Sequence, residues 1–319
     1  MFWKKKVNPS PLGVPLHELE LFLGLPGISG IKCKRDGDAL IAVHRHYSMR
    51  VEVVPPDEGE AESGPIKAVV RVVTELPQPI CTLLEKSPAR SMATFNAFAT
   101  LGAIYKKGGK FFIGSRVTIH EGDDVWSKLH FPLLMHDVIS GVEALFGAIR
   151  RTITGEASRG GVSLWHGSDM RQVHDCMSKL CVCTVSEDGF TAEFGLMPGA
   201  FTAAAGHHKT ALFQMETRQP HPELGGGLVC ILEMPHVADT EERAVDVCTR
   251  LNVMEMEAHD LPPHFGAWCT GRMGRNPAYV SYLHNALHST PGIATNFAIW
   301  GMNRAMWANA MLASMGVKA

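Results

Sequence analysis

Histidine is the first residue type of this chain that suggests chemistry, because its sixteen imidazoles are potential metal ligands and proton carriers. His44 and His46 lie two residues apart on a predicted strand and would share one face, while His207 and His208 lie in a predicted turn. A zinc site needs three or four protein ligands, and neither pair has a third ligand nearby in sequence. The segment LHELEL (16–21) begins like a zinc-protease helix but has leucine where the second histidine belongs. We therefore expect no bound metal.

Cysteine could supply redox chemistry, since Cys181 and Cys183 flank a single valine. The eight cysteines lack the spacing of a disulfide framework, and a chain of this size can build a core without disulfides. A reactive thiolate needs a neighbouring cation or a metal, and no lysine or histidine stands within the motif. We interpret the pair as reduced cysteines on one face of a strand.

Two glycine-rich segments resemble catalytic loops but lack their defining residues. GAIYKKGGKF (102–111) has phenylalanine after its last lysine where a phosphate-binding loop has serine or threonine, and it precedes a strand rather than a helix. GEASRGG (155–161) lacks the spacing of a nucleophile elbow. The first predicts a turn and the second a linker, so we expect no catalytic residues and no cofactor.

Composition narrows the class of protein. A chain of 319 residues suits two domains, and its 45% apolar and 19% charged residues favour packed cores over disorder. The formal net charge of −2 gives no excess of basic residues for nucleic-acid binding. The lysines at 4–6 precede polar residues and prolines rather than an apolar run, which argues against a secretion signal. No apolar run reaches about 20 residues, so we expect a cytoplasmic protein without a membrane span.

A weak internal repeat organises the rest of the chain. Ser-x-Leu-His occurs at 127–130 and again at 281–284, and VVRVVTELP (69–77) corresponds to GLVCILEMP (227–235). Asn96 corresponds to Asn252, and KFFIG (110–114) aligns with HFGAW (264–268). The offset between the matched segments stays between 154 and 158 residues. The order of the matches predicts two copies of one unit.

Histidine also recurs in this repeat, at His130 and His284. A symmetric catalytic pair is one interpretation. A histidine at a strand end more commonly satisfies a buried polar group, and we assign neither residue a catalytic role.

The predicted elements of both copies follow the same order. The first copy has strands at 39–43, 49–53, 66–74, 110–118 and 123–131, with helices at 17–23, from Ser87 and over 135–149. The second has strands at 189–194, 211–217, 227–233, 265–269 and 279–284, with helices at 169–180, from Asp239 and from Thr290. This order predicts an α+β fold with two tandem copies of an α-β-β-β-α-β-β-α unit and largely antiparallel sheets. We place the copies at 13–152 and 167–319, with a linker at 153–166.

The second copy carries residues that suggest a family. Leu251-Asn252 on the middle helix, FGAWC (265–269) and Arg304-Ala305-x-Trp307-Ala308 on an aromatic-rich last helix resemble the type III secretion chaperone-like fold. Within that fold the chain is similar to the YbjN-like family of bacterial sensory-transduction regulators. The resemblance implies protein binding, pairing into dimers and no catalytic residues. A tandem copy departs from the single-domain pattern and would make a built-in pseudo-dimer.

The last helix is the main candidate for an interface. Apolar residues spread beyond a single stripe, and methionine and tryptophan are common at binding surfaces. These candidates are Trp300, Met302, Met306, Trp307 and Met311. They could bind a partner, but covalent linkage favours packing between the copies, and we expect Trp307 to be largely buried there.

We therefore expect a non-enzymatic protein-binding or regulatory protein whose partner is an unidentified protein or peptide. It would be either a monomeric pseudo-dimer or a homodimer. The alternative is a small-molecule sensor or an enzyme that uses a cleft between the copies. Clustered polar groups in such a cleft would favour the alternative. An apolar groove or an unpaired strand edge would favour protein binding.

Overall fold

The structure is a computed structural model, and it describes most of the chain. The described residues are 32–36, 39–44, 47–54, 66–97, 102–120, 141–142, 144–148, 151, 154–156, 160–196, 209–259 and 261–318. The predicted helix at 17–23, the predicted strand at 123–131 with the first Ser-x-Leu-His segment, His46 and the His207–His208 pair lie outside these residues.

The described part of the first unit contains a six-stranded antiparallel sheet and, after its fourth strand, two helices. Its strands are β1 (Lys32–Asp36), β2 (Ala39–His44), β3 (Tyr47–Val54), β4 (Ile66–Glu75), β5 (Ala103–Lys107) and β6 (Lys110–His120). Helices α1 (Gln78–Leu84) and α2 (Pro88–Ala97) lie between β4 and β5. The strand order is β1-β2-β3-β4-β6-β5. Val70 and Val72 are buried on one face of β4, whereas Arg71 points to the opposite face, as the two-residue period of a strand requires.

The second unit follows the same plan. It begins with α3 (Gly167–Met177), then β7 (Val182–Val185), β8 (Gly189–Gly195), β9 (Thr210–Glu216), β10 (Gly227–Glu233) and α4 (Glu241–Glu257). The hairpin β11 (Ala267–Thr270) and β12 (Pro277–His284), a 3₁₀ turn at Asn285–Leu287 and α5 (Ile293–Ser314) complete it. The sheet order is β7-β8-β9-β10-β12-β11, again antiparallel.

Both sheets therefore consist of a four-strand meander, a helical crossover and a hairpin whose second strand pairs with the fourth. The registers also correspond: Val73 of β4 faces Gly114 of β6, and Ile231 of β10 faces Val280 of β12. The prediction of an α+β fold with antiparallel sheets is confirmed at this level.

Two details of the predicted order are wrong. Four strands, not three, precede the middle helix of each unit, because the predicted element order includes neither β1 nor β7. Each is short and lies at a sheet edge, with charged side chains exposed on β1 and little burial along β7, so neither shows clear apolar alternation. The alignment of 110–114 with 264–268 is also wrong. Residues 110–114 open the second hairpin strand, whereas 267–270 form the first, because β5 was read as part of the glycine turn.

The units pack through their middle helices and hairpins. Helix α2 of the first unit lies against β11 and α4, and α4 of the second unit lies against β5 and β6. The buried side chains of both units form one continuous core. Helix α5, by contrast, packs on α3, α4, β9 and β10 of its own unit. Gly301 permits this, because a Cβ there would come within 2.9 Å of the Phe213 ring.

Candidate functional site

The motifs that first suggested chemistry occupy structural positions where they are described. Gly108 and Gly109 form the β5–β6 turn with positive φ angles of 57° and 81°, as the sequence predicted. Cys183 lies on β7 and Cys181 just before it, and burial raises the pKa of the Cys181 thiol to about 12. His284 caps the following 3₁₀ turn by accepting a hydrogen bond from the Ala286 amide. Among the described residues, no three metal-ligating side chains converge.

The predicted interface residues lie on the last helix, whose main described contacts are with its own unit. Trp300 is buried against Phe265 and Phe297, and Trp307 is half-buried with its ring centroid 6.5 Å from that of Trp268. Met302, Met306 and Met311 are also half-buried on this helix. The described contacts of these five candidates lie mainly within their own unit, so their interface role and the burial of Trp307 between the copies stay predictions.

Arg116 of β6 instead spans the junction. Its side chain is fully buried, and its guanidinium donates to the carbonyls of Glu255, Leu261 and Pro262, the first at 2.7 Å and the last at 2.7 Å. The Arg116 carbonyl in turn accepts a hydrogen bond of 2.7 Å from the His264 amide. Arg116 therefore ties the first unit to the end of α4 and to residues 261–264 of the α4–β11 loop.

Glu255 anchors the other half of this buried polar cluster. One carboxylate oxygen lies 2.6 Å from Nε of Arg304 and 3.3 Å from Nδ1 of His264. The other oxygen accepts a 2.7 Å hydrogen bond from the Trp268 indole. Arg304 also stacks over the Tyr279 ring at 3.9 Å. Every partner is placed by packed secondary structure or by the pinned loop.

Burial and neighbouring charges determine the protonation states of the residues in this cluster. Burial alone would raise the pKa of Glu255, but Arg304 and His264 beside it lower the pKa to about 2. Burial lowers the pKa of His264, and the opposite effect of the neighbouring Glu255 only partly offsets this lowering. The imidazole is therefore neutral at pH 7. Burial lowers the pKa of Arg116 to about 10, and the guanidinium stays charged. The cluster is closed to solvent, so we assign it to holding the units together, not to catalysis.

A small cleft opens beside this cluster, on the face of the first sheet that α4 covers. Its volume is about 160 Å³. Its walls are Glu52, Arg71, Val73, Tyr105, Lys107 and Phe112 of the first unit and Val253, Met256 and Glu257 of α4. We call it the junction cleft. It contains the clustered polar groups that would favour a small-molecule site.

The four sheet edges differ in how they are protected. Asn96 and Asn252 hydrogen-bond the outward backbone groups of Ile104 on β5 and Trp268 on β11, and a helix of the other unit covers each edge. The β1 edge exposes Lys32, Lys34 and Asp36, and charged side chains discourage strand pairing. Among the described residues, the β7 edge has neither a covering helix of the other unit nor exposed charged side chains on the strand.

Strand β7 presents both backbone and apolar groups. The amide of Ser186 bonds the carbonyl of Gly189, so by alternation the N–H and C=O of Cys183 and Val185 point away from β8. Val182 is 49% exposed and Val185 is 37% exposed. No described strand pairs with this edge.

Two adjoining clefts lie near the end of β7: one of about 380 Å³ across β7, β8 and β9, and one of about 610 Å³ beyond it. They share Asp188 and Arg218, which form an ion pair at 2.6 Å. The smaller cleft includes Thr184 and Val185, and the larger ends at Val162, which is 87% exposed. We call β7 and these clefts together the edge groove. It contains the unpaired strand edge that would favour protein binding.

No protein-family model, curated protein or solved structure matches this chain. In the part of the chain that the structure describes, none of the helices is both long and apolar enough to cross a membrane.

The sequence analysis did not predict the residues of the buried polar cluster or of the junction cleft. Glu255 had a usable signal, since it lies three and four residues after Asn252 and Leu251 and so shares their buried helix face. A carboxylate on such a face predicts a buried partner. Arg71 and Arg116 had no comparable signal, because a single arginine in a strand is ordinarily solvent-exposed.

Proposed function

We propose that this chain is a non-catalytic binding protein that takes up an extended segment of another protein at the edge groove. The observation that carries the proposal is the β7 edge, with which no described strand pairs. A bound segment would add a strand there, using the outward backbone groups of Cys183 and Val185 for affinity and the neighbouring clefts for side-chain selection.

We also propose that the two units arose as an internal duplication and act as a pseudo-dimer related to chaperone-like proteins. The equal strand orders, the corresponding registers and the paired roles of Asn96 and Asn252 support duplication. The extra strand in each unit departs from the unit expected of the chaperone-like fold. The family assignment therefore rests on the second-unit residues 251–252, 265–269 and 304–308.

The test is a selection of random peptides on the immobilised full chain, followed by affinity measurements on variants. Val185→Pro removes an outward N–H and leaves the pairing with β8 intact, a position where edge strands tolerate proline. Met273→Ser, which alters an 84% exposed side chain away from the groove, is the control. We expect the selected peptides to have alternating apolar residues. Their affinity should fall about tenfold or more for Val185→Pro, because this variant loses at least one backbone hydrogen bond to the peptide and disturbs the strand register.

The same affinity for the wild type and for Val185→Pro would refute strand addition at β7. Failure to select any peptide would refute peptide binding itself. Urea denaturation of both variants shows whether either substitution has changed the fold.

A further inference from the structure

We infer that the junction cleft binds a small organic carboxylate with an apolar body about the size of a benzene ring. This site is separate from the edge groove and requires no peptide binding.

The first reason is an unsatisfied donor. Nε of Arg71 is buried and has no hydrogen-bond partner among the described residues, although another guanidinium nitrogen of Arg71 donates to the Glu257 carbonyl at 3.1 Å. A buried charged donor without an acceptor is costly, so native structures seldom retain one without a ligand or water. A carboxylate is the acceptor whose geometry best matches a guanidinium.

The second reason is the set of groups around Arg71. The Tyr105 hydroxyl belongs to the same wall, and burial raises its pKa, so it remains an O–H donor. Arg116 lies opposite Arg71 on the neighbouring strand and adds positive potential on this face. The two carboxylates at the rim already have cations: Glu257 pairs with Lys107 at 2.9 Å and Glu52 with Arg50 at 3.0 Å. The unpaired charge in the cleft is therefore that of a cation.

The third reason is size and wall composition. A cavity of about 150 Å³ is large enough for benzene, and this cleft has a volume of about 160 Å³. Phe112 stacks on Tyr105 with ring centroids 5.8 Å apart, and Val73, Val253 and Met256 supply further apolar surface. These walls suit a ring or short alkyl chain attached to the carboxylate.

The junction cleft lies between the two units, so binding of an acid there would stabilise the contact between them. Its floor belongs to the first unit and its cover to α4 of the second, so a bound acid contacts both. A ligand that binds only the assembled junction stabilises it in proportion to its occupancy. The cleft would therefore report the concentration of a small acid through the stability of the unit–unit contact.

The test uses benzoate, butyrate and inorganic phosphate at millimolar concentration with the 319-residue chain. Calorimetric titration and the thermal midpoint are measured for the wild type, Arg71→Gln, Arg71→Lys, Tyr105→Phe and Lys106→Gln. Lys106 is the matched control, because it neighbours Tyr105 on β5 and carries the same charge but lines the opposite face, over Phe111.

We expect benzoate to bind the wild type and raise its thermal midpoint. Arg71→Gln should weaken this binding about tenfold or more, as expected for a lost charge-assisted hydrogen bond, and Lys106→Gln should leave it unchanged. Arg71→Lys keeps the charge without Nε, so weak binding in this variant assigns the effect to the guanidinium geometry.

Three results would overturn the inference. They are no binding of either organic acid, equal binding by the wild type and Arg71→Gln, and phosphate binding as tight as benzoate binding, which would leave no role for the apolar walls. Urea melts of the unliganded variants separate a lost site from a lost fold.

Discussion

Asn96 and Asn252 make the same two hydrogen bonds in the two units. Asn96 Oδ1 accepts from the Ile104 amide at 2.7 Å while its Nδ2 donates to the Ile104 carbonyl at 3.0 Å. Asn252 repeats this with Trp268 at 2.8 and 2.9 Å. Each asparagine is buried and ties the middle helix of its unit to the outer strand of the hairpin. The edges of both sheets that face the junction are thereby closed.

This equivalence predicts matched losses of stability. Asn96→Ala and Asn252→Ala should each lower the free energy of unfolding by at least about 2 kcal/mol, because each leaves a buried amide and a buried carbonyl without partners. Urea melts measure the effect, and Asn303→Ala on the exposed face of α5 should change little. A large loss for one asparagine and none for the other would argue against equivalent roles.

Arg116 and Arg90 allow a comparison of buried and exposed cations at the same junction. Arg116→Met should destabilise the protein by about 3–5 kcal/mol, because three second-unit carbonyls and their loop lose a buried charged partner. Arg90 also crosses the junction, to Glu241 at 3.7 Å, but its side chain is 76% exposed. Arg90→Met should therefore cost less than about 1 kcal/mol. Similar denaturation midpoints for the two variants would contradict the role given to Arg116.

Stability should depend on pH through the buried cluster. The pKa of His264 is lower in the folded protein than its ordinary value of 6.5, so the unfolded chain binds the additional proton and stability falls as pH drops below about 6.5. His236 and His284 shift in the same direction and add to this slope. Glu255 acts at lower pH: its stabilisation is present above 4.5 and is lost as pH falls towards about 2.

His264→Asn tests the assignment, because the asparagine amide can still donate near Glu255 but does not titrate. Thermal or urea melts between pH 7 and pH 5 should show a shallower decline for this variant than for the wild type. An unchanged slope would mean that His264 does not contribute.

Trp268 and Trp307 should differ in their effect on stability although their rings lie close together. Trp268 is completely buried and donates to Glu255, so Trp268→Ala should cost about 3–5 kcal/mol or more. Trp307 is only half-buried, and Trp307→Ala should cost roughly 1–2 kcal/mol. Urea midpoints in the reverse order would show that α5 is packed differently.

The sequence predicted elements best where apolar periodicity was strong. Strand β10 was predicted at 227–233 and occupies those residues, because its run of valine, leucine and isoleucine is buried mainly on one face. The Asn96–Asn252 correspondence was also visible, since both follow the same helical pattern. The alternating valines of β4 likewise predicted the strand that carries Arg71.

The sites could not be predicted in the same way, because they depend on contacts between residues far apart in sequence. Arg116 lies 139 residues before Glu255, and no local pattern links a strand arginine to a distant helix. Strand β7 has only four residues and none of them is buried, so its sequence shows no apolar alternation. Its lack of a described partner becomes significant only when the other three sheet edges are seen to be covered or charged.

Amide hydrogen exchange at β7 tests the central claim most directly. The amides of Cys183 and Val185 point outward and should exchange rapidly in the free protein, whereas the Thr184 amide, bonded to β8, should be protected. Addition of a selected peptide should slow exchange at Cys183 and Val185 and leave the amides at β1 unchanged. Peptide binding that leaves Cys183 and Val185 in fast exchange would contradict strand addition at the edge groove.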